Sequence, residues 1–241
     1  MTPKSEEKIA EPEHTQDDTY FKTKDQQRKE AKAAIAKFIV EHYLTEGDSI
    51  LLDAGTSLYP IAEIIAGKAK SEPERTHYTI MTHNYRAFEV LVTAVRREGN
   101  LNILLTGGRY DHDLNALFGT QTVNAYEDFF PGVVLIGVSG LVAEIGLFCH
   151  GNTEELMVKR SIFGKRTLDR IIVADYTKVG LQNGFRFGDA REFRANVNRC
   201  ILVTDVPPAD SPLEERERFS RQIQIMEERL GIKVERVGEN K

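Results

Sequence analysis

The chain has 241 residues, 41% hydrophobic and 29% charged, with a formal net charge of −5. Those values suit one large globular domain with short appendages. They offer no run near the roughly 18 apolar residues of a membrane span, no apolar signal-peptide core and no basic stripe of a general nucleic-acid binder. Cys149 and Cys200 are the only cysteines, which argues against a disulfide scaffold and leads us to expect a reducing, cytoplasmic setting.

Residues 1–23 are polar, with prolines and mixed charge, and read as a disordered tail. A single domain is expected over 24–241. It opens with "DQQRKEAKAAIAKFIVEHYLTEG", where Ala31, Ala34, Ile35 and Phe38 recur at helical spacing, Asp25 stands as a cap and Gly47 as the end. Strand-like and helix-like segments then alternate. "SILLD" precedes the helix "LYPIAEIIAGKA", and "HYTIMT" precedes a helix "NYRAFEVLVTAVRREG" capped by Asn84. "LNILLTGG" is a strand, "TQTVNAYEDFF" a short helix and "GVVLIGVSG" a strand. The helix "GNTEELMVKRSIFGKR" is followed by the strands "DRIIVAD" and "RCILVTD". The long charged helix "SPLEERERFSRQIQIMEERLG" and a last strand "IKVERV" close the chain. This alternation predicts an α/β fold, a mostly parallel sheet with helices on both faces.

The strands stop at chemically similar places. One ends in Asp53-Ala-Gly55-Thr56-Ser57, and others in Thr82-His83-Asn84, Thr106-Gly107-Gly108-Arg109, Val138-Ser139-Gly140 and Asp175-Tyr-Thr-Lys178. In a parallel sheet these ends share one edge, where open α/β folds bind ligands. Gly55 allows a tight turn, Thr56 and Ser57 supply hydroxyls, and the start of the following helix favours an anion. The plain alternative is a capped strand-to-helix turn; the fixed spacing of a Walker motif is missing.

Seven segments carry a family resemblance in their order: "GDSILLDAGTS", "TIMTHN", "ILLTGGRYDHDLNALFG", "VLIGVSGL", "GLFCHGNTEELMVKR", "IIVADYTKVG" and "CILVTD". Together they resemble the C-terminal sensor domain of DeoR-type transcriptional repressors. The resemblance implies a Rossmann-like sheet of the ribose-phosphate isomerase and CoA transferase-like kind, and a pocket for a phosphorylated sugar or related phosphate ester. It implies homo-oligomerisation, and it points to Asp53, Gly55, Thr56, Ser57, Thr82, Asn84, Gly107, Gly108, Glu154, Lys159 and Lys178 as pocket positions, beside Ser139 and Gly140 at the rim. Family repressors carry a winged helix before this domain. The residues before the first helix here lack a recognition-helix pattern, so no direct DNA binding is expected.

Spacing alone gives plainer readings for several of these. Glu155 and Lys159 at i,i+4 suit an exposed pair, whereas the resemblance turns Glu154 and Lys159 toward a sugar hydroxyl and a phosphate. Lys178 reads equally as surface charge and as pocket cation. Asp111-His112-Asp113 reads as a solvated loop, or a lid after Gly107-Gly108, ahead of a metal site. Cys149 and His150 point to opposite faces of a strand and make a poor catalytic pair. No cofactor is expected.

Three functions stand open from sequence. A regulatory sensor binds a sugar phosphate without turnover. A sugar-phosphate isomerase-type enzyme needs an acid–base group, for which Glu154 and Asp111 are the candidates. An interaction protein carries only a degenerate pocket.

Overall fold

The structure, a computed structural model, describes residues 28–96 and 99–238. The polar tail and the Asp25 cap lie outside the described residues. Seven parallel strands form one sheet in the order β12-β11-β9-β6-β1-β2-β3. They are β1 (Ser49–Leu52), β2 (Tyr78–Thr82), β3 (Leu101–Leu105), β6 (Val133–Gly137), β9 (Thr167–Val173), β11 (Val197–Asp205) and β12 (Lys233–Val237).

Helices cover both faces, as the near-continuous apolar strands require. Side chains alternate across a strand, so β1 sends Ile50 and Leu52 to one side and Leu51 to the other. The helices α1 (Lys29–His42), α2 (Tyr59–Ser71) and α3 (Tyr85–Val92) pack on the first face through Ile35, Ile39, Ile61, Ile65 and Leu91. The helices α4 (Thr120–Glu127), α5 (Thr153–Phe163) and α6 (Leu213–Gln224) pack on the second through Tyr126, Val158, Ile162, Phe219 and Ile223. The sequence thus specifies a Rossmann-like α/β sandwich, and the structure has it.

Local details differ from the sequence pattern. Helix α3 starts at its cap, where the Asn84 side chain accepts the Ala87 N–H at 3.0 Å, but it ends at Val92. Beyond α6 the turn widens to a π helix, Ile225–Arg229. Two antiparallel units interrupt the alternation. One is a hairpin of β4 (Arg109–Asp111) and β5 (Ala116–Phe118). The other is a small sheet of β7 (Gly140–Val142), β8 (Gly146–Cys149) and β10 (Phe185–Asp189) in the order β10-β8-β7. Their strands are three to five residues long, too short for a period-2 pattern to declare itself.

The strand order reverses at β1. The chain moves outward from β1 to β2 and β3, then returns to β6 on the other side of β1. Connections diverge there and leave a crevice at the carboxyl ends of β1 and β6.

Candidate functional site at the sheet switch point

A cavity of about 320 Å³ fills that crevice. Its walls include residues 54–58 after β1, Gly137–Ser139 after β6, His150, Gly151, Glu155 and Lys159 around the start of α5, and Asp175, Thr177 and Lys178 after β9. Arg28 just before the first helix, Lys32 within it, and Asp113, Leu114 and Phe118 of the hairpin complete it.

Asp53 forms the floor. It follows the last residue of β1 and is fully buried. Its Oδ1 accepts the Ala54 N–H at 2.8 Å, and its Oδ2 accepts the Gly137 N–H at 2.9 Å. One carboxylate therefore ties β1 to β6 across the switch point. Lys159 Nζ donates to the same Oδ2 at 2.5 Å and to the Gly137 carbonyl at 2.7 Å. Burial works against the Lys159 charge, yet the carboxylates of Asp53 and Glu155 outweigh it and hold the ammonium pKa above its ordinary value.

His83 lies beneath this pair, wholly buried. Its Nδ1 is 2.7 Å from the Tyr126 hydroxyl and its Nε2 is 3.7 Å from Asp53 Oδ1. Burial, aided by the Lys159 charge, lowers the imidazole to about 4 against the pull of Asp53. Burial likewise lifts the Tyr126 phenol well above its usual value. Both groups are neutral at pH 7, so the polar chain under the cavity carries its charge on Asp53 and Lys159.

The turn above Asp53 is built for close approach. Gly55 has φ +130°, and a Cβ there would meet no atom within 4 Å, so the backbone angle and not space demands glycine. The Gly55 carbonyl accepts the N–H groups of Leu58 and Tyr59, which starts α2. Thr56 Oγ1 accepts from Lys32 Nζ at 2.9 Å. Lys32 is 5% exposed, so this ammonium from α1 is sealed against the turn.

Helix α5 sorts its two adjacent glutamates. Asn152 caps the helix by accepting the Glu155 N–H at 2.9 Å. Glu155 and Lys159, four apart, lie on the same face, and that face looks into the cavity. Glu155 Oε2 also accepts the Gly151 N–H at 2.6 Å. Glu154 is turned roughly 100° away by the helical repeat and pairs with Arg109 of β4.

The sequence-derived positions therefore separate into two groups. Gly55, Thr56, Ser57, Ser139, Lys159 and Lys178 line the cavity, with Asp53 directly beneath. Thr82, Asn84, Gly107, Gly108, Gly140, Asp111 and Glu154 are not among its lining residues. Thr82 Oγ1 donates to the Leu52 carbonyl at 2.7 Å and accepts the Asn84 N–H at 3.0 Å, so this hydroxyl joins β2 to β1 and starts the α3 cap. Gly107 accepts the Thr122 hydroxyl at 2.6 Å. Gly108 has φ +133°, and a Cβ there would fall 2.5 Å from the Phe118 carbonyl, so it closes the hairpin against α4. Gly140 lies in β7 against the Leu181 carbonyl. Asp111 Oδ1 accepts the N–H groups of Asp113 and Leu114 at 3.1 Å and shapes the hairpin tip.

Arg28, Lys32, Asp113, His150, Glu155, Asp175 and Thr177 reach the cavity without having been singled out as pocket positions. The signal for Lys32 was present: it lies at helical spacing from the buried stripe of Ile35, Ala36 and Ile39. Cys149 faces the core, where burial and the nearby Glu155 push its thiol up to about 12, and His150 lies on the cavity side with Nδ1 3.2 Å from Asn183 Oδ1. Among the described residues, no helix is long and apolar enough to cross a membrane and no cluster of three His, Cys, Asp or Glu is placed to hold a metal ion.

The family model of the DeoR C-terminal sensor domain matches residues 27–199. The HTH-type transcriptional repressor GlcR of Bacillus subtilis (strain 168) is 25% identical over 163 residues, 68% of this chain and 55% of GlcR. The transcriptional repressor AccR of Agrobacterium fabrum is 27% identical over 147 residues, 61% of this chain and 52% of AccR. The chain thus spans about half the length of the curated relatives it matches. Among solved structures it is similar to a D-ribose-5-phosphate isomerase in complex with phospho-erythronic acid, at 15% identity and TM-score 0.44, covering 62% of this chain and 53% of that one. Another is eIF2B beta from Chaetomium thermophilum, at 11% identity and TM-score 0.39, covering 62% and 43%. With the family model matching well over half of its length, the chain belongs to the DeoR C-terminal sensor domain family.

Proposed function

We propose that the domain is a regulatory sensor whose cavity binds a phosphorylated sugar or a similar small phosphate ester, without turning it over. The observation that carries this reading is the pairing of the Gly55–Ser57 turn with the sealed Lys32 ammonium at one side of a 320 Å³ cavity that also holds Glu155 and Asp113. The phosphate faces the turn, where helix start, hydroxyls and cation act together. A helix N-terminus contributes about 0.3–1 kcal/mol, and hydrogen bonds to a charged group roughly 1.5–3 kcal/mol each. The sugar hydroxyls face the carboxylates of Glu155 and Asp113 and the hydroxyl of Ser139. Glu154 and Asp111, the two acids expected to do proton transfer, both lie within ion-pair distance of Arg109 and neither lines the cavity, which weakens an isomerase-type reading built on those two residues.

Thermal unfolding against a panel of sugar phosphates tests the reading, with inorganic phosphate and unphosphorylated sugars as controls. Ligand at 100 times its dissociation constant adds about 2.7 kcal/mol, or roughly 5–10 °C for a chain of this size. The shift should shrink in Thr56→Val, which keeps shape and removes the hydroxyl. A protein indifferent to every phosphorylated compound would leave the cavity without this role.

A further inference from the structure

Helix α1 is held to the domain in two different ways along its length. From Ile35 onward it is a core helix, with Ile35, Ala36, Ile39 and Val40 buried. Before Ile35 its anchors are polar and belong to the cavity. Lys29, Glu30, Ala33 and Ala34 are exposed, and Lys32 is the one buried residue between Arg28 and Ala34. Its ammonium donates to Thr56 Oγ1 at 2.9 Å. Arg28 pairs with Asp205, the last residue of β11, lies 3.9 Å from Asp175 and stacks over the Tyr176 ring at 4.1 Å. It also has φ +55°, a left-handed backbone that is unfavourable for a side chain with a Cβ. Among the described residues, no side-chain cap supports the helix start. Arg28 and Lys32 are both cavity-lining residues.

We propose that the first two turns of α1 are the element through which the domain registers an occupied cavity. An anion held between the Gly55–Ser57 turn and the Lys32 ammonium fixes the start of α1 on the sheet. Its departure leaves that start on its polar anchors, while the apolar half stays docked. The inference rests on the anion-binding reading above and adds the response to it. A ligand that binds only the docked form suppresses local opening by the factor 1 + [L]/Kd.

Hydrogen exchange of the full chain tests this with inorganic phosphate and ribose 5-phosphate as probes, each at ten times its own dissociation constant. Binding is read at residues 54–58 and coupling at residues 29–35, with residues 36–42 as the internal reference. The expected result is protection at 54–58, exchange slowed by up to about tenfold at 29–35, and no change at 36–42. Protection at 54–58 alone overturns the coupling and leaves the ligand reading in place. Protection at neither segment overturns both. Lys32→Met keeps the aliphatic stem and removes the ammonium. With probe raised to ten times the variant's own dissociation constant, the slowing at 29–35 should disappear, and in the free variant those amides should exchange faster than in the wild type. Slowing that persists in Lys32→Met would overturn the proposal.

Discussion

Lys159 on α5 and Asp53 beyond β1 meet at 2.5 Å with both side chains buried, 106 positions apart in the chain. The contact joins the two halves of the sheet where its order reverses. It also means that Lys159 is structural before it is a ligand group. Replacing one member leaves the other charge without a partner in a dry place, which typically costs roughly 3–5 kcal/mol. Lys159→Met should therefore lower stability by about that much in urea unfolding. The double variant Asp53→Asn with Lys159→Met should be less destabilised than the sum of the single changes. Strict additivity would contradict the pairing.

The buried His83 makes a pH prediction. Its folded pKa of about 4 lies below the ordinary 6.5, so between these values the unfolded chain binds a proton that the folded one refuses. Stability is then full above pH 6.5, falls as the pH drops through the window, and suffers no further loss from this group below 4. The depression corresponds to about 3 kcal/mol. Urea midpoints at pH 7 and pH 4.5 should differ more in the wild type than in His83→Gln. Equal differences in both proteins would show that His83 does not carry the effect.

The architecture was legible in the sequence because it rests on long, repeated signals. Runs such as Val133–Gly137 and Ile171–Val173 are apolar on both faces, which only a covered parallel strand tolerates. Their glycine and hydroxyl endings marked the rim on which Gly55, Thr56, Ser57 and Ser139 stand. The site was less legible because its partners are set by helix phase and by distant contacts. Glu154 and Glu155 are consecutive, and the position of Arg109 on the hairpin shows which of them turns away from the cavity. Lys32 sits on a helix that the sequence presents as ordinary amphipathic packing, and its hydrogen bond to Thr56 spans 24 positions. Thr82 and Asn84 carry rim-like residue types, but the Thr82 hydroxyl is spent on the Leu52 carbonyl and the Asn84 side-chain oxygen on the α3 cap.

Arg170 is the largest of the fully buried side chains. Its guanidinium donates to the carbonyls of Phe163 at 2.5 Å, Phe193 at 2.8 Å and Ala195 at 3.2 Å, and lies 4.4 Å over the Phe163 ring. It satisfies the end of α5 and the loop before β11 together. Arg170→Met would leave several buried carbonyls without donors, at about 1–3 kcal/mol for each left unpaired. We expect a loss of at least about 3 kcal/mol in urea unfolding. Arg170→Lys should recover little of it, since a compact ammonium cannot span the same carbonyls. A near-neutral Arg170→Met would place the strength of this corner in the aromatic packing of Phe163, Phe187 and Phe193.

The two neighbouring glutamates of α5 give the sharpest test of the cavity. Glu154 and Glu155 share chain, helix turn and charge, and differ in where the helix points them. Glu155 lines the cavity and braces Gly151, and Glu154 meets Arg109 outside it. Exposed ion pairs contribute little to stability, so Glu154→Gln should unfold close to the wild type and bind a sugar phosphate with similar affinity. Glu155→Gln keeps the size and one acceptor oxygen but removes the charge that would hold sugar hydroxyls. Its affinity for the full sugar phosphate should fall by roughly tenfold, the equivalent of one charge-assisted hydrogen bond. Its affinity for inorganic phosphate, which has no hydroxyl tail to reach Glu155, should hold steady or rise as a negative charge leaves the cavity. Titration calorimetry of both variants with both probes separates the cases. Equal losses in Glu154→Gln and Glu155→Gln would mean that the ligand lies elsewhere along the rim. A loss in Glu155→Gln that is the same for inorganic phosphate and for the sugar phosphate would turn the ligand around, with its phosphate toward α5.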